Sequence, residues 1–219
     1  YPMAYARAYS TAVKRSKNRA AITGMMTVLA PAVQWILDIR AVWTVDVGGG
    51  IHASMDVLRN VEFPELPRFG VRMFLPRELK DAAYYGYGPE ESYCDKHRAA
   101  RHGLFCAEVS ELHEDYIRPQ ENGSHFDCDY VELCGGQAGL AAAAQERRFS
   151  FNASVYTQEE LERKAHNFEL VPSGNTVLCL DYALNGIGSN SCGPEVLEKY
   201  RFDEERFVFE FQLAPFVKL

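Results

Sequence analysis

Apolar and polar residues alternate with a period of two over much of this chain, the pattern of strands that turn one face to a core and the other to water. Phe207, Phe209, Phe211 and Leu213 alternate with Val208, Glu210 and Gln212, and Phe149, Phe151, Ala153 and Val155 alternate with Ser150, Asn152 and Ser154. Trp43, Val45 and Val47 alternate with Thr44 and Asp46, and Gly48-Gly49-Gly50 then leads into residues 51–57. That arrangement predicts a hairpin, with residues 36–40 leading into the same sheet. Val71 and Met73 alternate with Arg72 and Phe74, which predicts a strand buried on both faces.

Helical signals are few. Thr157-Gln158-Glu159-Glu160 has the form of a capping box, with Thr157 as N-cap and Glu160 reaching back to its backbone. Leu161, Ala165 and Phe168 follow at helical spacing. A second short helix is expected over residues 139–146, where alanines cluster. Glu62-Phe63-Pro64-Glu65-Leu66-Pro67 reads as an extended connector inside a domain rather than a boundary. Many strands joined by short turns predict an all-β sandwich, taken as one domain over residues 1–219.

Composition narrows the function classes. The hydrophobic content of 47% permits a sizeable core. A net charge of -7 argues against nucleic acid and against an anionic membrane surface as partners, and no apolar run is long enough to span a bilayer. The basic run Lys14-Arg15-Ser16-Lys17-Asn18-Arg19 reads as a solvated hairpin tip. Six cysteines in 219 residues are too sparse for a disulfide scaffold, so free thiols in a reducing, cytoplasmic compartment are expected. The spacing of Cys94, His97, His102 and Cys106, with His113 beyond, matches no familiar zinc site, and no metal ligands are assigned. The chain starts at Tyr1, which reads as a fragment of something longer.

Two loops carry aromatic and polar residues among their turn-formers. They are Tyr85-Gly86-Tyr87-Gly88-Pro89-Glu90-Glu91-Ser92-Tyr93, followed by Asp95 and Arg98, and Gly186-Ile187-Gly188-Ser189-Asn190-Ser191-Cys192-Gly193-Pro194. Such loops on a rigid scaffold are where binding chemistry tends to sit. Together with Phe63-Pro64-Glu65-Leu66-Pro67-Arg68-Phe69-Gly70, Tyr116-Ile117-Arg118-Pro119-Gln120-Glu121-Asn122-Gly123 and Phe149-Ser150-Phe151-Asn152-Ala153-Ser154 with Tyr156-Thr157, they resemble, in order, the segments of the C-terminal (small-chain) domain of family 2 β-galactosidases. The residues before Phe63 match no motif.

The resemblance implies a galactose-mutarotase-like supersandwich of two large antiparallel sheets, with one or two short helices. It implies the last domain of a longer enzyme that hydrolyses terminal β-D-galactosides such as lactose. The catalytic glutamates of that family belong to an upstream (β/α)8 barrel, so no catalytic residue is expected in this chain, and the chain alone is expected to be inactive. Its partners would be the upstream barrel and sandwich domains, the galactoside, and further copies of the parent in a homo-oligomer. Any Mg2+ or monovalent cation would belong to the parent rather than to this chain.

The expected role is to complete the substrate pocket, with Asn190, Ser191 and Cys192 as the substrate-binding residues. Cys192 stands where some family members place Trp, so the aromatic platform for a sugar's apolar face is missing here. A retaining glycosidase needs two carboxyl groups about 5 Å apart. The doublets Glu90-Glu91 and Glu159-Glu160 are sequence neighbours that point apart. Glu121, Asn122, Gly123 and Asn152 read as structural, and Tyr85, Tyr87 and Tyr93 read as groove-lining or packed residues. Two other functions fit the same fold. A stand-alone aldose mutarotase would draw on His97, His102, His113 or His166 with a carboxylate, and polarimetry would reveal it. A carbohydrate-binding module would titrate with galactose or lactose.

Overall fold

The computed structural model describes residues 3–31, 34–187 and 194–217. Its strands are β1 (Tyr5–Arg15), β2 (Arg19–Ala30), β3 (Gln34–Asp46), β4 (Ile51–Arg59), β5 (Arg68–Pro76), β6 (Asp81–Gly88), β7 (Arg101–Glu108), β8 (Ser124–Cys128), β9 (Tyr130–Gly135), β10 (Ala138–Ala144), β11 (Phe149–Ser154), β12 (Asn175–Leu184) and β13 (Arg206–Val217). One α-helix, α1 (Gln158–Arg163), lies between β11 and β12. The chain is thus all-β as expected, and its strands belong to two antiparallel sheets. Contacts cluster into two compact units, and the change from the first to the second comes between Glu65 and Leu66, inside the proline-stiffened connector.

In the first unit the strand order is β1-β2-β3-β4-β13. Alternation works here as the sequence implies. Phe207, Phe209, Phe211 and Leu213 are all buried while Val208 between them is exposed. Trp43 meets Phe211 edge to face at 5.9 Å between ring centroids. The tip 16–18 joins β1 to β2 and is fully exposed, and Asp46 closes the β3–β4 hairpin by accepting the Gly48 and Gly50 N–H groups at 2.8 and 3.1 Å. The buried Arg59 guanidinium is satisfied by backbone carbonyls, those of Asp203 at 2.6 Å, Phe63 at 3.0 Å and Glu204 at 3.2 Å. A buried charge needs such acceptors. These contacts fix the end of β4 against the two chain segments that leave the unit.

In the second unit β6 runs between β9 and β7, and β5-β12-β11-β8 form a four-stranded sheet. Tyr84 of β6 meets Phe151 of β11 at 4.9 Å and His125 of β8 at 4.4 Å, so the two layers share an aromatic core. Val131, Leu133, Phe149, Leu178 and Leu180 complete it, each at 1% exposure or less. All six positions of β11 are buried rather than three, because β12 and β8 flank it and the turn Val109–Leu112 lies against it.

Four local expectations are corrected. Residues 139–146 are not a helix: Ala138–Ala144 is strand β10, hydrogen-bonded next to β9. Alanine's helix propensity is worth only a few tenths of a kcal/mol per residue, roughly, and sheet pairing overrides it. Nor is β5 buried on both faces. It is the outer strand of its sheet, Phe74 is exposed, and Arg72 sits over the Phe74 ring at 5.3 Å. Helix α1 stops at Arg163, short of Ala165, and Phe168 lies exposed in the 3-10 turn Asn167–Glu169. Thr157 does cap the helix, its Oγ1 accepting the Glu160 N–H at 3.1 Å. The Glu160 carboxylate does not reach back; it accepts the Val171 N–H at 3.0 Å and pairs with Arg163 at 2.9 Å.

Candidate functional site

The segment after β6 and the turn that precedes β8 border an open cleft of about 560 Å³ on the second unit, lined among others by Glu90, Asp95, Lys96, His97, Glu114 and Tyr116. Its floor is organised by Glu91, whose carboxylate is 5% exposed. That carboxylate accepts hydrogen bonds from Lys96 Nζ, from the Tyr116 hydroxyl, from the Gly123 N–H at 2.9 Å and from the Tyr93 hydroxyl at 3.3 Å. Burial pushes the carboxyl up, but the donors from Lys96, Tyr116 and Gly123 outweigh it and hold Glu91 below the usual carboxylate range. Lys96 also donates to the Tyr116 hydroxyl at 2.9 Å. One buried charge therefore gathers the Gly-Pro-Glu-Glu-Ser-Tyr loop, Lys96 and the segment 116–123.

A second anchor lies in the same unit. Arg68 forks onto Asp181 with bonds of 2.6 and 2.7 Å and reaches Glu121 at 3.1 Å. Burial alone drives the Asp181 carboxyl up; the Arg68 charge and its two bonds oppose that, and the fork is the geometry of an ionised pair. Asn152 Nδ2 donates to the Asn122 carbonyl at 2.5 Å, and Asn122 Oδ1 accepts the Glu114 N–H at 3.0 Å. Of the residues expected to be structural, Asn122 and Asn152 are buried and hydrogen-bonded to backbone, whereas Glu121 is half-buried and pairs with the Arg68 side chain, and the Gly123 N–H is taken by the Glu91 carboxylate.

The expected substrate-binding residues Asn190, Ser191 and Cys192 lie outside the described residues. The base of their loop is described. The Ile187 N–H donates to Asp95 Oδ1 at 3.2 Å, so the loop departs beside a wall of the cleft. Of the three tyrosines, Tyr93 is buried and Tyr85 is 38% exposed. Tyr87 is half-buried, 5.2 Å from the His97 ring and 5.3 Å from the His102 ring. His113 packs on Tyr156 and His166 on Phe168. Cys94 faces the Leu184 carbonyl at 3.6 Å, and burial pushes its thiol up to about 11. Among the described residues no group of three or more His, Cys, Asp or Glu side chains converges to hold a metal ion.

Sequence reasoning missed the Glu91–Lys96–Tyr116 and Arg68–Asp181 anchors. One signal was present for the second. Asp181 is a lone acid in the apolar run Val177-Leu178-Cys179-Leu180-Asp181-Tyr182-Ala183-Leu184, and a charge in a buried strand demands a partner.

Comparison with known proteins agrees with the resemblance. The family model described as "Beta galactosidase small chain" matches residues 3–213. The β-galactosidase of Actinobacillus pleuropneumoniae is 39% identical over 213 residues, 97% of this chain and 21% of that protein. That of Staphylococcus xylosus is 38% identical over 182 residues, covering 83% and 18%, and that of Kluyveromyces lactis 34% over 165 residues, covering 75% and 16%. The chain thus spans about a fifth of the length of these relatives. With a family model that matches from residue 3 to residue 213, and segments that match it tied into one unit through Glu91 and Arg68, this chain belongs to the β-galactosidase small-chain family.

Proposed function

We propose that this chain is the non-catalytic C-terminal domain of a β-galactosidase, and that it completes the galactoside pocket through the loop carrying Asn190, Ser191 and Cys192. The observation that carries the reading is the Ile187–Asp95 hydrogen bond, which seats the base of that loop beside the cleft. Asn190 and Ser191 offer hydrogen bonds to sugar hydroxyls. Cys192 adds a small apolar surface in place of an aromatic ring.

The acid and base groups of hydrolysis come from the parent's upstream barrel. Three of the four doublet carboxylates, those of Glu91, Glu159 and Glu160, are engaged in hydrogen bonds within the chain, which supports an inactive isolated chain. The parent acts on terminal β-D-galactosides, lactose among them, and assembles as a homo-oligomer; Mg2+ and monovalent cations, where it uses them, bind outside this chain. The five free cysteines among the described residues are in keeping with a reducing cytoplasm.

The test is steady-state hydrolysis of a chromogenic β-galactoside by the full-length enzyme carrying Asn190→Ala or Ser191→Ala. Loss of one hydrogen bond to bound sugar, about 1 kcal/mol, raises KM about fivefold. An unchanged KM in both variants contradicts the pocket role.

A further inference from the structure

We propose that the core-side face of β1 and β2 is a docking surface, and that its occupant is upstream polypeptide of the same parent enzyme, apolar at its centre and rimmed with carboxylates. The inference needs the chain to be a domain of a longer β-galactosidase and does not depend on the pocket role. Val13, Ile22, Trp43, Ala53 and Phe211 stand opposite one another in turn, from β1 through β2, β3 and β4 to β13. Cross-strand partners share one face of a sheet. Phe211 and Ala53 are fully buried, Trp43 is half-buried, Ile22 is 40% exposed and Val13 is 55% exposed. A parallel row, Phe207, Val57, Ile39, Met26 and Ala8, runs the same way, from buried at its first three positions to half-buried at Met26 and exposed at Ala8. One continuous face is thus covered at β13 and β4 and open at β2 and β1.

A sheet buries its apolar face against another layer, and an apolar face left open marks an interaction site. Charge selects the partner. Residues 1–37 contain no Asp or Glu, and Arg7, Lys14, Arg15, Lys17 and Arg19 give the β1–β2 ribbon five positive charges in a chain whose net charge is -7. All five are exposed, and among the described residues no carboxylate pairs with them. Arg15 ends the row that begins at the buried Leu213 and passes through Ile51, Val45 and Ala20, so the rim of the open face is basic. A carboxylate rim is complementary to it. A second copy laying its own ribbon there would bring like charges together, which is repulsive. The parent supplies the polypeptide, since this chain spans only about a fifth of the length of its relatives.

The experiment uses the full-length enzyme. Ile22→Cys is labelled with a bulky maleimide, folded and unfolded in urea, and labelling at position 22 is read by peptide mass spectrometry. Covered by the upstream polypeptide, that thiol waits on local opening and reacts at least about tenfold more slowly in the folded enzyme. Adding Lys14→Glu and Lys17→Glu sets like charges against the carboxylate rim and is expected to speed labelling at least about fivefold. A carbodiimide, which joins amines to carboxylates in contact, is expected to link Lys14 or Lys17 to Asp or Glu residues upstream of this domain. Enzyme assembled from isotopically heavy and light copies tells links within one polypeptide from links between two.

Labelling at position 22 within about threefold of the rate in urea overturns the proposal, because β2 is then open in the complete enzyme. Protection that the two charge reversals leave unchanged also overturns it, because the cover is then not acidic. Links that join Lys14 or Lys17 only to a second copy make that copy the occupant and overturn it as well. An unchanged KM in Asn190→Ala and Ser191→Ala removes the pocket reading and leaves this one standing, so the two fail separately.

Discussion

Arg68 and Asp181 face each other across the first residues of β5 and the last of β12, Nε to Oδ1 at 2.6 Å and Nη2 to Oδ2 at 2.7 Å, with the Asp181 carboxylate 1% exposed and the guanidinium 23% exposed. A fork so placed costs more to break than to replace whole. Arg68→Met leaves a buried carboxylate unpaired and is expected to lower stability by about 3–5 kcal/mol. In Asp181→Asn the remaining group is neutral and Arg68 keeps Glu121, so a smaller loss is expected. Urea midpoints at constant slope measure both; an Arg68→Met loss under about 1 kcal/mol would show that the pair does not hold the strands.

At the cleft Glu91 joins Tyr93, Lys96, Tyr116 and Gly123 through one carboxylate. Glu91→Gln removes the charge that Lys96 and Tyr116 address while keeping the side-chain size, and about 1–3 kcal/mol of stability is expected to go with it. Tyr116→Phe removes one donor to the same carboxylate and costs about 1 kcal/mol. Because the folded carboxyl is held below its usual range, its contribution is present above the unfolded pKa and is lost as pH falls through the folded value. Thermal melts of the two variants rank these losses; the reverse order would place the anchor in Tyr116 instead.

Two glycines share a left-handed backbone and differ in their surroundings. Gly123 has φ +68° and an added Cβ would fall 2.3 Å from the Leu112 carbonyl oxygen, whereas Gly136 has φ +60° and open space. Gly136→Ala is expected to cost only the conformational strain, about 1 kcal/mol. Gly123→Ala adds a clash with backbone beneath the Glu91 anchor and is expected to cost at least about 3 kcal/mol. Equal melting temperatures for the two variants would refute this distinction.

His125 packs on Phe151 at 5.0 Å and on Tyr84 at 4.4 Å, its Nδ1 lies 3.2 Å from the Tyr87 carbonyl, and its Nε2 is buried without a hydrogen-bond partner. Burial lowers its pKa to about 4. A depressed histidine favours the fold while neutral. Its contribution is therefore full above the unfolded pKa near 6.5 and is lost as pH falls from there toward about 4, by up to roughly 1.4 kcal/mol per pH unit. His125→Asn is expected to flatten the dependence of Tm on pH between these values. An unchanged slope would assign the acid sensitivity to other groups.

Strand alternation made most of this fold readable, since Phe207, Phe209, Phe211 and Leu213 announce one face of β13 and the glycine run announces the β3–β4 hairpin. What stayed hidden depended on neighbours in space. Ala138–Ala144 has no side chain large enough to declare a sheet, and the exposure of β5 follows from its outer place beside β12. The same holds for the cleft. Gly186, Ile187 and Asp95 belong to turn-rich loops, but the contact between Ile187 and Asp95 spans 92 positions and no local pattern encodes it.

The most direct test of the account is hydrolysis of a chromogenic β-galactoside by three samples: this chain alone, the parent enzyme lacking it, and the two mixed. The account predicts no activity in the first, little in the second and recovery on mixing. A truncated parent as active as the complete enzyme, with unchanged KM, would contradict it.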